Sequence, residues 1–160
     1  MPLVSKLIVP LAKLFQRKKA VGTNFNGYPY THGRQYSLSG HGPGHKVSAH
    51  FTLIEFASRD GADKVIIHDA LPPLLEAIRE ASGGRPLHIN SGYRSPAHNS
   101  AVGGATNSRH KTGQAADITV RGLSPRQVYR IAKRLNPGGL GKYNSFTHVD
   151  IQGNNRRWSG

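Results

Sequence analysis

The sequence predicts an α+β fold in which helices pack on a small antiparallel sheet. Two observations support this class. Apolar residues recur at helical spacing in two segments, and short stretches of alternating apolar and polar residues lie between and after them. The order along the chain is helix, strands, helix and hairpin, which is typical of α+β folds. We expect a basic tail and a flexible linker to precede this domain.

The composition limits the size of the core and the chemistry of any site. The 160 residues are 36% hydrophobic and include 19 Gly and 10 Pro, which suits one ordinary domain plus a poorly packed segment. The chain has no cysteine, so thiolate zinc sites, disulfides and thiol catalysis are excluded. Any metal site must therefore use His, Asp and Glu. The formal charge of +14 favours an anionic partner such as nucleic acid, anionic lipid or the cell wall.

Residues 1–21 are predicted to form a basic amphipathic tail. Apolar residues recur at helical spacing, Pro10 interrupts the helix, and basic residues cluster at 17–19. A secretory signal fits poorly because Lys13 interrupts the apolar stretch and no small-residue cleavage site follows. The stretch is also shorter than the roughly 20 apolar residues of a membrane span. A helix lying on a membrane surface is the alternative interpretation.

Residues 22–49 are predicted to be a poorly ordered linker. They are rich in Gly, His, Tyr, Ser and Asn and contain few aliphatic side chains, so they bury too little apolar surface to offset the entropy of ordering. His32, His41, His45 and the adjoining His50 match no compact ligand spacing and are interpreted as solvated residues, with a metal-binding histidine tract as the alternative. The domain is then expected to span residues 50–160.

The first half of this domain is predicted to contain two helical segments and a strand. Residues 51–56 are interpreted as a short helical turn. Asp69 is the expected N-cap of a helix that runs to about Ala81, with apolar residues on one face and Gly83-Gly84 after its end. Residues 87–90 then form a short strand.

The second half is predicted to contain a strand, a helix and a hairpin. Residues 114–120 alternate between apolar and polar side chains, as a half-buried strand does. Ser124 followed by Pro125 begins a helix to about Leu135. Residues 139–143 and 146–151 are expected to pair as antiparallel strands joined by the turn at 144–145.

Three residues have types and positions that suit a catalytic zinc site. Such a site needs three protein ligands and one open position. His110 lies in a loop, Asp117 follows seven residues later in the predicted strand, and His148 lies on a later strand. Asp117 stands among apolar residues, where a carboxylate without a partner would cost several kcal/mol. Taken one at a time, each residue also fits a structural role.

Two further charged residues accompany this set. Asp150 is two residues after His148, so both side chains lie on the same face of a strand. Its carboxylate suits either a general base or a group that orients the histidine. Arg94 follows Gly92-Tyr93 after a strand and suits a substrate carboxylate or a developing oxyanion.

The joint pattern resembles a known family. The motifs are Ser91-Gly-Tyr-Arg-Ser-Pro-Ala-His-Asn, Gly103-Gly-Ala-Thr-Asn-Ser-Arg-His110, Gly113-Gln-Ala-Ala-Asp117-Ile and Phe146-Thr-His148-Val-Asp150. In this order they are similar to the zinc D-Ala-D-Ala carboxypeptidases and related endopeptidases of the M15 peptidase family. The resemblance runs from about Phe51 to Trp158 and implies the fold shared with the hedgehog signalling domain.

The resemblance also implies roles for individual residues. His110, Asp117 and His148 become the ligands of one zinc ion. Arg94 becomes the substrate and transition-state arginine. Ser108 is expected to bind the terminal carboxylate or backbone of the substrate, and Tyr93 is expected to contact the substrate.

One position departs from the family pattern. Many relatives have the catalytic acid three residues before the last histidine, where this chain has Ser145. Asp150 is the nearest carboxylate, and we assign it the role of general base. An exchange of the ligand role between His148 and Asp150 stays open.

The expected function is zinc-dependent hydrolysis of peptide bonds in peptidoglycan stem peptides, by a monomer acting at the cell wall. The small size, the missing signal and the basic tail favour a phage-type lytic enzyme. One alternative is a non-catalytic wall-binding module on the same fold. Another is nucleic-acid binding through the tail, although no nucleic-acid motif accompanies the charge. The tail is also expected to contact the anionic wall or a membrane surface.

Overall fold

The computed structural model describes residues 33–135, 138–153 and 155–160, and in these ranges the chain has an α+β fold. The helices are α1 (Leu38–His41), α2 (Leu53–Phe56), α3 (Leu71–Ala81), α4 (Pro96–Ala101) and α5 (Pro125–Leu135), with a 3-10 helix at Arg109–Thr112. The strands are β1 (Arg34–Ser37), β2 (Lys64–Ile67), β3 (Leu87–Ser91), β4 (Ala115–Val120), β5 (Leu140–Lys142), β6 (Thr147–Asp150) and β7 (Arg157–Ser159).

The strands form two sheets. β1 and β2 pair antiparallel, and the larger sheet has the order β3-β4-β6-β5-β7. Its first four strands pair antiparallel, but β7 runs parallel to β5. The larger sheet is therefore mixed, whereas the sequence predicts only antiparallel pairing. The difference arises at β7, whose three residues are too few to show a strand pattern.

One face of the larger sheet covers the main core. On β4 the core-facing residues are Ala116, Ile118 and Val120, all buried, and Asp117 lies on the opposite face. Helices α3 and α5 contact each other, and α5 also packs on β4, β5 and β6. The predicted alternation of strand 114–120 is confirmed, and it leaves the second face of the sheet for polar side chains.

The predicted helices and hairpin are present, with one correction at a helix start. The residue at the N-cap of α3 is Ala70 rather than Asp69. The Asp69 carboxylate instead accepts from the guanidinium of Arg34, with an Nε–Oδ1 distance of 2.9 Å. Ser124 caps α5 as expected, since its Oγ accepts from the amide of Gln127. The additions to the predicted set are β1, α1, β2, α4, the 3-10 helix and β7.

Residues 33–49 differ from the expectation of a poorly ordered linker. They contain β1 and α1, and Tyr36, Leu38 and Val47 pack against the core. The Asp63 carboxylate also accepts from the amide and hydroxyl of Ser39, at 2.7 and 2.9 Å. These contacts supply the anchoring that the local composition does not reveal. The proposed tail at 1–21 lies outside the described residues.

None of the helices in the described ranges combines the length and the apolar character that crossing a membrane requires.

Candidate metal centre

The centre lies along one row of residues that crosses the larger sheet. The register pairs Ser91 with Asp117, Asp117 with His148, His148 with Gly141, and Gly141 with Trp158. Each of the five strands thus contributes one residue to the row. A bulge between positions 89 and 91 of β3 brings Ser91 opposite Asp117. Strand pairing therefore brings Asp117 and His148 side by side on the face away from the main core.

His110 reaches this row from the 3-10 helix that precedes β4. The helix is followed by Gly113, which has a φ of +67°, a left-handed conformation that favours glycine. A Cβ at Gly113 would also overlap the backbone carbonyl of Ile66 on β2. The amide of His68 donates to the Gly113 carbonyl at 2.9 Å, and the amide of Arg94 donates to the His110 carbonyl at 3.1 Å. Backbone contacts to two distant segments thus fix the position of His110.

The three side chains converge through one atom each. The Nδ1 of His110 is 2.7 Å from the Gly92 carbonyl oxygen, so Nδ1 carries the proton and Nε2 is left as an acceptor. That Nε2 is 3.3 Å from His148 Nδ1 and 3.4 Å from Asp117 Oδ1. The remaining pair, His148 Nδ1 and Asp117 Oδ1, is 2.8 Å apart. The structure therefore brings together the three residues that the sequence predicts as ligands.

These spacings fit a tetrahedral metal ion. Zinc bonds of about 2.0–2.2 Å to nitrogen and oxygen, at tetrahedral angles, separate neighbouring ligand atoms by about 3.3–3.6 Å. Two of the three separations lie in or next to that range, and the third is a hydrogen bond that a metal ion would lengthen. The group His110, Asp117 and His148 can thus hold a metal ion, and its donor set of two imidazoles and one carboxylate suits zinc.

The charges in the centre are strongly coupled. Burial alone would raise the pKa of Asp117, but hydrogen bonds and charge interactions with His110 and His148 hold that pKa far below its usual value. Burial would likewise lower the pKa of His148, yet the carboxylates of Asp117 and Asp150 raise it above 6.5. The protein thus holds a stable carboxylate at position 117 beside two imidazoles. This charge distribution attracts a cation.

Arg94 lies beside the centre and contacts its carboxylate. Its Nη2 donates to Asp117 Oδ2 at 2.7 Å, and its Nε donates to Ser91 Oγ at 2.8 Å. Asp117 therefore presents Oδ1 to the histidines and Oδ2 to Arg94. A guanidinium has five N–H donors, of which these contacts use two. Arg94 orients Asp117 and still carries donors for another group.

Asp150 is oriented toward His148 but is completely buried, with 0% of its surface exposed. Its Oδ1 accepts from the amides of Gly139 and Gln152 at 2.8 and 3.0 Å. Its Oδ2 is 3.6 Å from His148 Nε2 and 3.4 Å from a guanidinium nitrogen of Arg156. This environment suits a group that orients His148 so that Nδ1 faces the other ligands.

The predicted role of Asp150 as general base does not fit this position. A general base must reach the proton that it abstracts, directly or through one water molecule. Burial would raise the pKa of Asp150, but His148 and the amide of Gly139 hold it below its ordinary value, which also weakens the carboxylate as a base.

The other predicted residues are divided between the site and the core. Ser108 directly precedes the 3-10 helix of His110, and its side chain is half-buried. Tyr93 is only 4% exposed and belongs to the hydrophobic core, so the expectation that it contacts substrate does not fit its position. The burial follows from the adjacent backbone, since the amide of Tyr93 donates to the Phe56 carbonyl. Ser145 is exposed at the tip of the β5–β6 hairpin.

Two contributors to the site have no clear signal in the sequence. The carbonyl of Gly92 sets the tautomer of His110, but backbone atoms leave no residue-type signal. Trp158 packs against His148 with 5.1 Å between the ring centroids. Trp158 is the single tryptophan of the chain, but neither its type nor its position near residue 160 indicates a contact with His148.

Comparison with known proteins agrees with this geometry. A sequence profile of the family described as Peptidase M15 matches residues 47–150. The chain is 41% identical over 91 residues to the zinc D-Ala-D-Ala carboxypeptidase of Streptomyces albus G, an alignment that covers 53% of this chain and 35% of the relative. It is 33% identical over 81 residues to the peptidoglycan L,D-endopeptidase MepK of Escherichia coli K12, covering 46% of this chain and 44% of the relative. The chain spans less than half the length of these curated relatives.

Proposed function

The chain belongs to the M15 family of peptidases, and from this premise we propose that it hydrolyses peptide bonds in peptidoglycan stem peptides with one bound zinc ion. The observation that carries the proposal is the convergence of His110 Nε2, Asp117 Oδ1 and His148 Nδ1 at spacings that suit a tetrahedral ion. The names of the two relatives, a zinc carboxypeptidase and a peptidoglycan endopeptidase, support both the metal and the substrate.

The residues of the centre divide the work of such a reaction. His110, Asp117 and His148 would hold the metal ion. When bound, zinc supplies Lewis-acid chemistry, since it lowers the pKa of water to about 7 and polarises a carbonyl group. Arg94 fixes the orientation of Asp117, and its remaining N–H donors suit the carboxylate or developing oxyanion of the substrate. Asp150 fixes the ring of His148.

The surroundings of the centre suit a peptide from the cell wall. Ser108 directly precedes the 3-10 helix of His110, where its hydroxyl suits the terminal carboxylate or backbone of a stem peptide. The formal charge of +14 favours residence on an anionic wall. We further propose that the fold is the type shared with the hedgehog signalling domain. We also propose that residues 1–21 form a basic tail and that the protein is a phage-type lytic enzyme.

The test is digestion of purified peptidoglycan, with the released muropeptides identified by mass. The wild-type chain loaded with zinc should release peptide fragments, and the chelated chain should regain that activity when zinc is added back. His110→Ala should release none. His88→Ala is the matched control, because His88 is exposed on β3 and should leave zinc binding and digestion unchanged.

Two outcomes would contradict the proposal. Full digestion by His110→Ala or by the chelated enzyme would remove the metal mechanism. A wild-type chain that binds zinc and adheres to the wall but releases no fragment would instead indicate a wall-binding module.

A further inference from the structure

The indole of Trp158 lies at the end of the row that forms the metal centre. It is half-buried on β7, beyond the residues 47–150 that match the family profile. Its ring centroid is 5.1 Å from that of His148, with 51° between the ring planes. His110 packs on the same imidazole, also at 5.1 Å. The His148 ring therefore has two flanking rings, one from a ligand and one from Trp158.

A missing side chain allows this contact. Gly141 lies between His148 and Trp158 in the row, because it pairs with both. A Cβ at Gly141 would come within 2.6 Å of Cε2 and Nε1 of the indole. The indole thus occupies the space that a side chain on β5 would fill, and it reaches across β5 to the histidine.

Two further contacts restrain the indole. Its Nε1 donates to the Tyr143 hydroxyl at 3.0 Å. The guanidinium carbon of Arg156 lies 5.4 Å from the centroid of the indole, within range of a cation–π interaction. Tyr143 is in turn stacked on Phe146, with centroids 4.3 Å apart and 17° between the planes. A half-exposed ring with this many restraints has one preferred orientation.

We propose that Trp158 is a positioning residue of the metal centre, acting through His148. The imidazole needs Nδ1 turned toward His110 and Asp117, while Asp150 faces its Nε2. The carboxylates contact the edge of the imidazole, whereas the indole packs beside the ring and restricts its rotation about the Cβ–Cγ bond. The inference rests on the proposed zinc site, but it concerns metal affinity and does not require a particular substrate.

The test measures zinc affinity of the full chain by calorimetry with a competing chelator. Trp158→Ala should weaken zinc binding by up to about tenfold, the lower end of the 10- to 100-fold range for removal of a hydrogen-bonded partner of a metal ligand. Trp158→Phe keeps a ring against His148 and should restore most of the affinity. Tyr129→Ala, a truncation of a half-buried aromatic residue on α5, is the matched control and should bind zinc as the wild type does.

A double-mutant cycle tests whether the effect passes through the indole. Gly141→Ala alone should weaken zinc binding, because the new Cβ displaces the ring. In the Trp158→Ala background the same substitution should have little further effect, since the space is then open. If Trp158→Ala does not fold, the zinc affinities of Gly141→Ala and Trp158→Phe still test whether the indole positions His148.

Intrinsic fluorescence gives an independent readout. Trp158 is the single tryptophan of the chain, so its emission reports on this site alone. Cobalt binding to the wild type should quench the emission with saturation, and His110→Ala should show no saturable quenching.

Wild-type zinc affinity in Trp158→Ala, or an undiminished effect of Gly141→Ala in that background, would overturn the inference and leave the proposed function standing. Failure of the wild type itself to bind zinc would defeat both.

Discussion

The metal centre is built from two regions that are held in place by different means. On the sheet side, Asp117 and His148 face each other because β4 and β6 pair in a defined register. On the loop side, His110 is placed by backbone contacts with Gly92, His68 and Arg94, which belong to other segments. The sheet side thus depends on strand register, and the loop side depends on contacts with irregular backbone segments. The two sides should respond differently to substitution.

The largest effect is expected on the sheet side from Asp117→Asn. The amide keeps the shape of the carboxylate but removes its negative charge. That charge balances the metal ion and interacts with Arg94 and both histidines. Because Asp117 would bond the metal directly, zinc affinity should fall by more than roughly 100-fold. That is the largest loss typical of removing a group that only contacts a ligand. Calorimetric titration with zinc measures this, with Glu80→Gln, at an exposed carboxylate on α3, as the matched control. A loss of less than tenfold would argue that Asp117 does not coordinate.

A smaller effect on the same side is expected from Asp150→Asn. The amide oxygen can still accept from the amides of Gly139 and Gln152, but the negative charge beside His148 is lost. A positioning role predicts a 10- to 100-fold loss of zinc affinity, with activity regained when zinc is raised. Measuring kcat at saturating zinc decides the matter. Wild-type zinc affinity together with an activity that no zinc concentration restores would support the base role instead.

On the loop side, a substitution that disturbs the backbone should destabilise the fold. Gly113→Ala places a side chain at a φ of +67° and against the Ile66 carbonyl, so we expect a loss of about 2 kcal/mol or more in the free energy of unfolding. Gly103→Ala is the matched control, because its φ is +66° but its surroundings are open. Urea unfolding of the metal-free chains compares them. Equal losses in the two variants would show that the contact with β2 does not hold the loop.

A still smaller effect on zinc affinity is expected when the pH is lowered. It tests the electrostatic coupling on the sheet side. Zinc needs neutral imidazoles, and the carboxylates raise the pKa of His148 above 6.5. As the pH is lowered, zinc affinity should therefore begin to fall at a higher pH than an ordinary histidine would give, by up to about tenfold per pH unit for one competing proton. In Asp150→Asn the fall should begin at lower pH. An affinity that stays constant from pH 8 to 6 would contradict the coupling.

The sequence could predict the sheet side more fully than the loop side. Alternation in residues 114–120 places Asp117 on the polar face, and the Ser124-Pro125 start of α5 is likewise a local signal. The hairpin that carries His148 follows from its turn and flanking strands. These features depend on neighbours in the sequence, so local pattern is enough to predict them.

The remainder depends on contacts between distant residues. β1 and α1 are ordered because Tyr36 and Val47 pack on a core supplied by later segments. The choice between the two predicted roles of Asp150 could not be made from the sequence, because spacing does not reveal its burial or its contacts with Gly139 and Arg156. The position of Trp158 similarly depends on the parallel pairing of β7 with β5.

The most direct test of the zinc centre is a crystal structure of the zinc-loaded protein with anomalous data collected across the zinc edge. The expected result is one anomalous peak per chain, bonded to Nε2 of His110, Oδ1 of Asp117 and Nδ1 of His148 at about 2.0–2.2 Å. A peak elsewhere, or one coordinated through Nε2 of His148 and Asp150, would contradict it.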